Sequence, residues 1–334
     1  MLGLDVGTMH IVSATKDGDN TVFKSIRNAF VKIDPDVANA VDLTKVAHAN
    51  IDDSVYILGV DAYNLANIFG HEVKRPMRDG LLSPKEIDAV DVLTVLIRSI
   101  IPDAPPPTKD GEKATCTYSS PAASVDAENS VVYHREVLKR VLSSLGYEPD
   151  PINEALAIIY SECVDSGFTG IAVSFGAGMT NVCFAYKSVP VLEFSIKRGG
   201  DWIDENAALA TGTTASRACA IKEKDDFDLA NWQVGKKRER RVREALSHYY
   251  KELVSYTTHN IAKKLMELDD VQLPSAVPIV LSGGTSLVKG FTDMAKDVIE
   301  NQYADEFPFD ITDVRVAGDQ LTAVANGCLI RSLL

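Results

Sequence analysis

The chain is poor in tryptophan, cysteine and basic residues, and it lacks a long apolar run. Its 334 residues include two tryptophans and five cysteines, and 34 basic residues stand against 47 acidic ones, which gives a formal net charge of −13. Because of this charge, nucleic acid is not the default partner. No apolar run approaches the roughly 20 residues that span a bilayer, and the N-terminal residues do not resemble a signal peptide. We therefore expect a cytoplasmic protein.

The cysteines and histidines form no recognisable metal or redox motif. The five cysteines are scattered along the chain, which indicates reduced and mostly buried thiols. The six histidines also lack the spacing of a ligand set; they are His10, His48, His71, His134, His248 and His259. We therefore assign no metal to either residue type.

Two similar hairpins lie about half a chain apart. The apolar strands Met1–Asp5 and His10–Ala14 flank a glycine turn at Gly7. The pattern returns as Gly170–Phe175 and Asn181–Tyr186, with a second glycine turn between them. Self-similarity of this kind predicts a duplicated domain, and a chain of this length suggests about two domains.

The remaining elements are predicted from apolar periodicity and from capping and breaking residues. Ser83 is expected to cap a helix that begins at Pro84, with Glu86 returning a hydrogen bond to the cap. Residues 30–74 are mixed and polar, which favours a small inserted subdomain. Small residues such as Gly327 are expected to let the last helix pack closely. The other predicted elements are helices over Ser124–Leu145, Asp150–Cys163, Glu239–Leu268 and Asp319–Leu334, and a buried strand over Pro278–Leu281.

Three glycine turns that follow strands are candidates for phosphate binding. They are Asp5–Thr8, Gly176–Thr180 and Ser282–Thr285. Turns without side chains let successive backbone N–H groups converge on an anion, and the hydroxyls of Thr8 and Thr180 are expected to add donors. One such turn is weak evidence, because most turns of this kind only supply an unusual backbone angle. Three of them in one chain favour a nucleotide site.

Around these turns the sequence resembles the superfamily of actins, sugar kinases and heat-shock chaperones. Leu2–Thr8 resembles its first phosphate motif, Val173–Asn181 its second, and Leu281–Gly290 its adenosine motif. Arg75–Gly80 is similar to a segment typical of MreB-type bacterial actins, and Arg217–Glu223 resembles the adenine-side helix, in particular that of the magnetosome actin. The five motifs occur in order over nearly the whole chain, which makes the resemblance specific to actin-like proteins.

The resemblance implies an α/β, two-lobed actin-like fold, in which each lobe is a mixed sheet flanked by helices and small subdomains are inserted. Lobe I is expected at residues 1–150, with an insertion at about 31–74, completed by the C-terminal helix at about 319–334. Lobe II is expected at 151–318, with an insertion at about 201–240. The implied cofactors are ATP or ADP with Mg²⁺, bound between the lobes.

The resemblance also assigns roles to individual residues. Asp5 is expected to bind Mg²⁺ through water, and Glu154 to orient or activate the water that attacks the γ-phosphate. Lys222 and Glu223 are expected to flank the adenosine. Taken alone, Glu154 fits a carboxylate favoured at a helix start, and Lys222 and Glu223 fit a solvated helix face. The expected nucleotide-binding residues are Gly7, Thr8, Met9, Gly176, Ala177, Gly178, Met179, Thr180, Gly200, Lys222, Glu223, Gly283, Gly284 and Thr285.

One position departs from the motif in a way that bears on catalysis. Ser174 stands where the family usually has an aspartate that helps to hold the hydrated metal. Mg²⁺ keeps several waters and needs only one or two carboxylates, so nucleotide binding is expected to survive while hydrolysis is weakened. On this hypothesis Ser174→Asp raises turnover. Met179 in place of threonine is a smaller departure in the same turn.

These features favour an actin-like cytoskeletal protein whose closed subunits add head-to-tail to form filaments, with slow ATP hydrolysis. The main alternative is a non-polymerising, nucleotide-dependent adaptor of the pilus-assembly type, and the weakened hydrolysis expected from Ser174 favours it modestly. A small-molecule kinase is less favoured because no sugar-binding loop is evident. A heat-shock chaperone is disfavoured because no peptide-binding domain follows.

A basic run stands out in this acidic chain. It extends over Lys236–Arg243 and contains six basic residues and one glutamate. Most runs of this kind are solvated helix faces. The alternative is a contact with an acidic neighbour, such as the adjacent subunit of a filament.

Overall fold

The computed structural model describes residues 1–33, 45–69, 72–83, 85–128, 131–268 and 273–334. It divides into two compact units. Unit 1 comprises Met1–Ser120, Ser130–Ile152 and Cys328–Leu334, and unit 2 comprises Pro121–Asn129 and Asn153–Gly327. Pro84, the predicted first residue of a helix, and His71 lie outside the described residues, as does part of the predicted insertion at 31–74.

Unit 1 is built on a five-stranded sheet in the order β3-β2-β1-β9-β10. Its strands are β1 (Leu2–Val6), β2 (His10–Asp17), β3 (Asn20–Arg27), β9 (Thr115–Ser120) and β10 (Glu148–Asn153). The first three form an antiparallel meander, and β9 pairs with β1 in parallel. Helices α2 (Ala89–Ile100) and α3 (Val131–Ser144) place buried apolar side chains in the same core as β1.

Unit 2 repeats this arrangement in the order β13-β12-β11-β14-β15. Its strands are β11 (Gly170–Phe175), β12 (Thr180–Tyr186), β13 (Val189–Ile196), β14 (Ala276–Ser282) and β15 (Asp310–Val316). Here too an antiparallel meander comes first and the next strand in the sheet, β14, pairs in parallel with the first strand of the meander; β15 then pairs in parallel with β14. The predicted duplication is therefore confirmed at the level of sheet topology. The helices of this unit are α4 (Glu154–Glu162), α5 (Gly200–Thr211), α6 (Ala215–Lys222), α7 (Lys237–Met266) and α8 (Phe291–Gln302).

The described part of the predicted insertion forms a small sheet and a helix. Strands β4 (Phe30–Ile33), β5 (His48–Ile51) and β6 (Ser54–Leu58) lie in the order β4-β6-β5 and are followed by α1 (Gly59–Phe69). Beyond it, the MreB-like segment forms a two-stranded hairpin, β7 (Met77–Arg78) and β8 (Leu81–Leu82). Its turn residues Asp79 and Gly80 both have positive φ, 52° and 76°. Asp-Gly is a preferred pair for such a turn because both central residues must adopt positive φ.

Several helix starts predicted from the sequence are wrong. The helix predicted at Pro84 begins at Ala89, because Glu86 forms an ion pair with Lys74 at 2.9 Å instead of returning to a cap. Ile87, which lies between this predicted start and the observed one, is 97% exposed. The other corrected starts are α3 at Val131 rather than Ser124, α4 at Glu154 rather than Asp150, and α9 (Ala323–Leu333) at Ala323 rather than Asp319.

Each of the other corrected helix starts also has a structural cause. Ser124 forms a β-bridge with Ser195, which holds the chain extended before α3. The residues before α4 pair into the sheet as β10. The carboxylate of Asp319 accepts hydrogen bonds from the backbone N–H groups of Leu321 and Thr322, which makes a turn ahead of α9.

The long helix and the closing helix agree with the sequence in their main features. Helix α7 has 30 residues, and its buried face includes Leu246, Tyr250 and Leu253. A Cβ atom on Gly327 would overlap the backbone carbonyl of Ala157 in α4. The predicted close packing at Gly327 is therefore confirmed. In the described residues, the model contains no helix that is both long and apolar enough to cross a membrane.

Candidate functional site

The first glycine turn is held closed by its own backbone and by Asn28. The N–H of Gly7 donates to the carbonyl of His10 at 3.0 Å. A Cβ atom at Gly7 would lie 2.8 Å from that carbonyl oxygen, so the turn excludes any side chain there. Asn28 is fully buried; its side-chain amide donates to the carbonyl of Gly7 at 2.9 Å, and its backbone N–H donates to that of Met9. Asn28 therefore fixes both carbonyls on the inner side of the turn.

The MreB-like hairpin supports the same turn. The backbone N–H of Gly80 donates to the hydroxyl oxygen of Thr8 at 3.1 Å. A hydroxyl that accepts this bond still has its own proton to donate. The contact therefore orients Thr8 and gives the Arg75–Gly80 segment a structural role next to the first turn.

Asp5 ends its strand beside a buried serine. The hydroxyl of Ser119 in β9 donates to the carboxylate of Asp5 at 2.7 Å and accepts the N–H of Val6 at 3.1 Å. Desolvation nevertheless raises the pKa of Asp5 to about 6. A nearby cation would favour the ionised carboxylate and offset this cost.

The second turn has the same backbone geometry as the first. The N–H of Gly176 donates to the carbonyl of Met179 at 3.0 Å, and a Cβ atom at Gly176 would lie 2.8 Å from that oxygen. Both values equal those at Gly7. The two turns are therefore structurally equivalent, which extends the confirmed duplication from the sheets to the loops.

The start of α5 is docked onto this second turn. The backbone N–H groups of Gly200 and Asp201 donate to the carbonyls of Gly176 and Ala177 at 2.9 and 2.8 Å. A Cβ atom on the preceding Gly199 would lie 2.6 Å from both of these carbonyl oxygens. Only glycine fits at position 199, a residue that the sequence motifs did not single out.

Two threonine hydroxyls donate hydrogen bonds at the second turn. The hydroxyl of Thr285, in the 3-10 turn Gly284–Leu287 after β14, donates to the carbonyl of Gly176 at 2.9 Å. The hydroxyl of Thr180 donates to the carbonyl of Arg198 at 2.8 Å. Since a hydroxyl has one proton, that of Thr180 is committed within the protein, which differs from the expected role as a donor to a ligand.

Lys222 lies next to the second turn, in a buried ion pair with Asp204. Its ammonium donates to the carboxylate of Asp204 at 2.6 Å and to the carbonyl of Gly200 at 3.0 Å. Burial raises the pKa of Asp204 to about 6, even though Lys222 opposes the shift. Glu223, expected beside it, is exposed at the end of α6. Lys222 is thus next to the turn, while Glu223 lies on the surface.

Glu154 and Ser174 are hydrogen-bonded to each other. Glu154 is the first residue of α4, which is capped by the side chain of Asn153. The hydroxyl of Ser174 donates to one oxygen of the Glu154 carboxylate at 2.6 Å, and the amide of Asn181 donates to the other at 2.9 Å. Ser174 is two residues before Gly176, so the carboxylate of Glu154 is hydrogen-bonded to the strand that leads into the second turn.

The third glycine turn contains a glycine with a positive φ, a conformation that other residues rarely adopt. Gly283 has a φ of +91°, and a Cβ atom there would overlap the backbone of Phe175. Gly284 and Thr285 follow in the 3-10 turn, and Thr285 reaches the second turn as described. The structure therefore brings Gly176, Gly200, Lys222 and Thr285 together in unit 2.

Comparison with solved structures identifies the fold. The MamK double helical filament matches with a TM-score of 0.69 and 18% identity over 100% of this chain and 98% of that chain. MreB5 of Spiroplasma citri bound to ADP matches with a TM-score of 0.63 and 16% identity over 98% of this chain and 94% of that chain. The ethanolamine utilization protein EutJ of Carboxydothermus hydrogenoformans matches with a TM-score of 0.53 and 16% identity over 98% and 89%.

These matches show that the chain has the actin-like fold, so the fold class and the resemblance to MreB- and MamK-type actins are confirmed. A family model described as Volactin matches residues 1–332, and the chain therefore belongs to the Volactin family. None of the curated protein sequences matches the chain.

Proposed function

We propose that this protein is an actin-like ATPase that binds Mg-ATP through its glycine turns and assembles head-to-tail into filaments. The observation that carries the proposal is the pair of equivalent turns, each closed by a 3.0 Å N–H···O bond, with Glu154 attached to the strand before the second turn. Successive backbone N–H groups of a glycine turn can converge on an anion. Two of them in one chain suit a polyphosphate.

The relatives support a nucleotide as the ligand. The neighbours include MreB5 of Spiroplasma citri bound to ADP and bound to AMPPNP, and a non-polymerising mutant of MamK bound to AMPPNP. Asp5 is the proposed residue for the hydrated Mg²⁺, which needs only one or two carboxylates. The desolvated carboxylate of Asp5 fits this role because a cation would favour its charged form.

The proposed chemistry is hydrolysis of the γ-phosphate. Water forms the new P–O bond as the bond between the γ-phosphorus and the bridging oxygen breaks, and ADP and phosphate leave. The turn N–H groups stabilise the charge on the phosphates, and Mg²⁺ supplies further charge neutralisation when bound. Glu154 orients the attacking water and accepts its proton.

Assembly is supported by the relatives and by an unpaired basic surface. The neighbours include MamK filaments, and a heterologous contact that does not close into a ring makes a filament. We define the basic face as five exposed residues at the start of α7, which have no ion-pair partner in the described part of the chain: Lys236, Lys237, Arg238, Arg240 and Arg241. The last residue of the run, Arg243, is instead fully buried and bonded to Asp226 and Glu239.

Cations at this end of a helix are unfavourable to the helix itself. The N-terminal end carries the positive pole of the helix dipole. The basic face therefore does not stabilise α7, and a partner with a negative surface accounts for it better. A second copy of this chain, with a net charge of −13, is such a partner.

Sedimentation tests the proposed function. The purified protein with Mg-ATP is expected to pellet as filaments, and EDTA is expected to reduce the pelleted fraction. Nucleotide binding without pelleting, over a range of salt and protein concentrations, would favour the non-polymerising adaptor. Failure to bind ATP or ADP in a calorimetric titration would contradict the proposal itself.

Reversing two charges of the basic face is expected to prevent assembly. Lys237→Glu with Arg238→Glu should abolish most of the pelleted fraction, while negative residues in the first turn of α7 should maintain or raise the melting temperature. The loss would then not result from unfolding. Lys109→Glu with Lys113→Glu is the control, since it makes the same change in net charge in an exposed loop. Equal pelleting of the two double variants would contradict a role for the basic face.

A further inference from the structure

The carboxylate of Glu154 is held on both oxygens by two buried side chains of one strand pair. Ser174 in β11 and Asn181 in β12 are directly opposite each other in the antiparallel register. Ser174 is 1% exposed and Asn181 is fully buried. Their donors reach Glu154 at 2.6 and 2.9 Å. Hydrogen bonds to an ionised acceptor are among the stronger ones in proteins, so this pair fixes where the carboxylate lies.

The orientation of Asn181 is itself fixed by a third contact. The side-chain oxygen of Asn181 accepts the backbone N–H of Ala122 at 3.2 Å. A backbone N–H can only donate, so the amide oxygen must face Ala122 and the amide nitrogen must face Glu154. Ser174 and Asn181 therefore form a clamp on Glu154, and the pairing of β11 with β12 sets the directions of their donor groups.

We propose that Ser174 and Asn181 are positioning residues that hold Glu154 for hydrolysis. This inference rests on the proposed ATPase function. A carboxylate has about four lone-pair sites, and the two hydrogen bonds from Ser174 and Asn181 use one on each oxygen of Glu154. Because the placement of reacting groups within about 1 Å controls rates by up to about 10²-fold, a loosened Glu154 is expected to slow the reaction without weakening nucleotide binding.

The clamp changes the expectation for an aspartate at position 174. From the sequence alone, Ser174 is a lost metal-side carboxylate, and Ser174→Asp is expected to raise turnover. In the structure the serine hydroxyl is the donor to Glu154. An aspartate there replaces a donor with a second negative charge at hydrogen-bonding distance, and like charges repel. We therefore expect Ser174→Asp to lower turnover.

The test compares turnover and nucleotide affinity in the full-length protein. Ser174→Ala is expected to lower kcat for phosphate release by about tenfold, with the dissociation constant for AMPPNP within about twofold of the parent. Ser174→Asp is expected to lower kcat further. Ser13→Ala is the matched control, because Ser13 is another buried serine in a sheet, and its hydroxyl donates to the carbonyl of Ile100. It should leave kcat unchanged.

A double-mutant cycle distinguishes positioning from general loss of structure. If Ser174 acts through Glu154, Ser174→Ala should have no further effect on kcat in a Glu154→Gln background. Additive losses, or a parental kcat in Ser174→Ala, would overturn the inference and leave the proposed ATPase intact. A parent that binds Mg-ATP but releases no phosphate would contradict the proposed hydrolysis and, with it, this role for Ser174.

Discussion

Glu154→Gln is expected to lower the rate of phosphate release by roughly 10²-fold, the usual scale for a positioned general base. Glutamine keeps the length and shape of the side chain, but it cannot accept a proton from the attacking water. Nucleotide affinity should change by less than about twofold, because the turns that are proposed to bind the phosphates are untouched. Single-turnover phosphate release and a calorimetric titration with AMPPNP measure the two quantities.

Glu162→Gln provides the matched control for this change. Glu162 is the last residue of the same helix, and its carboxylate pairs with Arg315 at 3.1 Å and accepts the N–H of Gly318. The variant should lose some stability and keep the parental rate. If Glu154→Gln hydrolyses ATP at the parental rate, the proposed role of Glu154 is wrong.

Gly199→Ala is expected to weaken ATP binding about ten- to a hundredfold. The added methyl group would lie 2.6 Å from the carbonyl oxygens of Gly176 and Ala177 and 2.9 Å from the backbone nitrogen of Met179. These are backbone atoms and cannot rotate away, so α5 and the turn must separate. Overpacking of this kind costs about 1–3 kcal/mol, which corresponds to that range of affinity.

Gly318→Ala makes the same chemical change where there is room for it. An added Cβ atom at Gly318 has no heavy atom within 4 Å. Its ATP affinity should therefore match the parent, and both variants should retain secondary structure by circular dichroism. Parental affinity in Gly199→Ala would show that the Gly176–Thr180 turn is not a phosphate-binding element.

Features that depend on residues close together in the sequence were predictable from the sequence alone. The two hairpins, the glycine turns and most of α7 follow from apolar alternation, helical periodicity and glycine placement. The repeat between the hairpins then predicted the duplication that both sheets and both turns confirm. The Asp79-Gly80 hairpin turn also has a local signal, although no local pattern indicates that it packs against Thr8.

The supports of the candidate site were not predictable in the same way. Ser119 reaches Asp5 from 114 positions along the chain, and Asn181 reaches Glu154 from 27. Ser119 lies in no motif, and Asn181 is only the last residue of the Val173–Asn181 motif; the contact that each makes exists only once the strands are paired. Asn28 is similar: a single buried asparagine after β3 shows no sign in the sequence that it will bond to Gly7. The wrong helix starts arose where strand pairing, an ion pair or the side-chain turn at Asp319 overrode the capping signals.

Because the two turns are equivalent, the charged side chains beside them can be compared position by position. Asp5 and Ser174 occupy the same position, two residues before the closing glycine of their turns. In unit 1 the carboxylate is on this strand and the hydroxyl comes from Ser119, whereas in unit 2 the hydroxyl is on the strand and the carboxylate comes from Glu154. Each unit thus has one serine–carboxylate hydrogen bond. In unit 1 the strand before the turn carries the acceptor, and in unit 2 it carries the donor. Position 174 therefore contributes a hydrogen-bond donor to the carboxylate of Glu154, where position 5 contributes a carboxylate of its own.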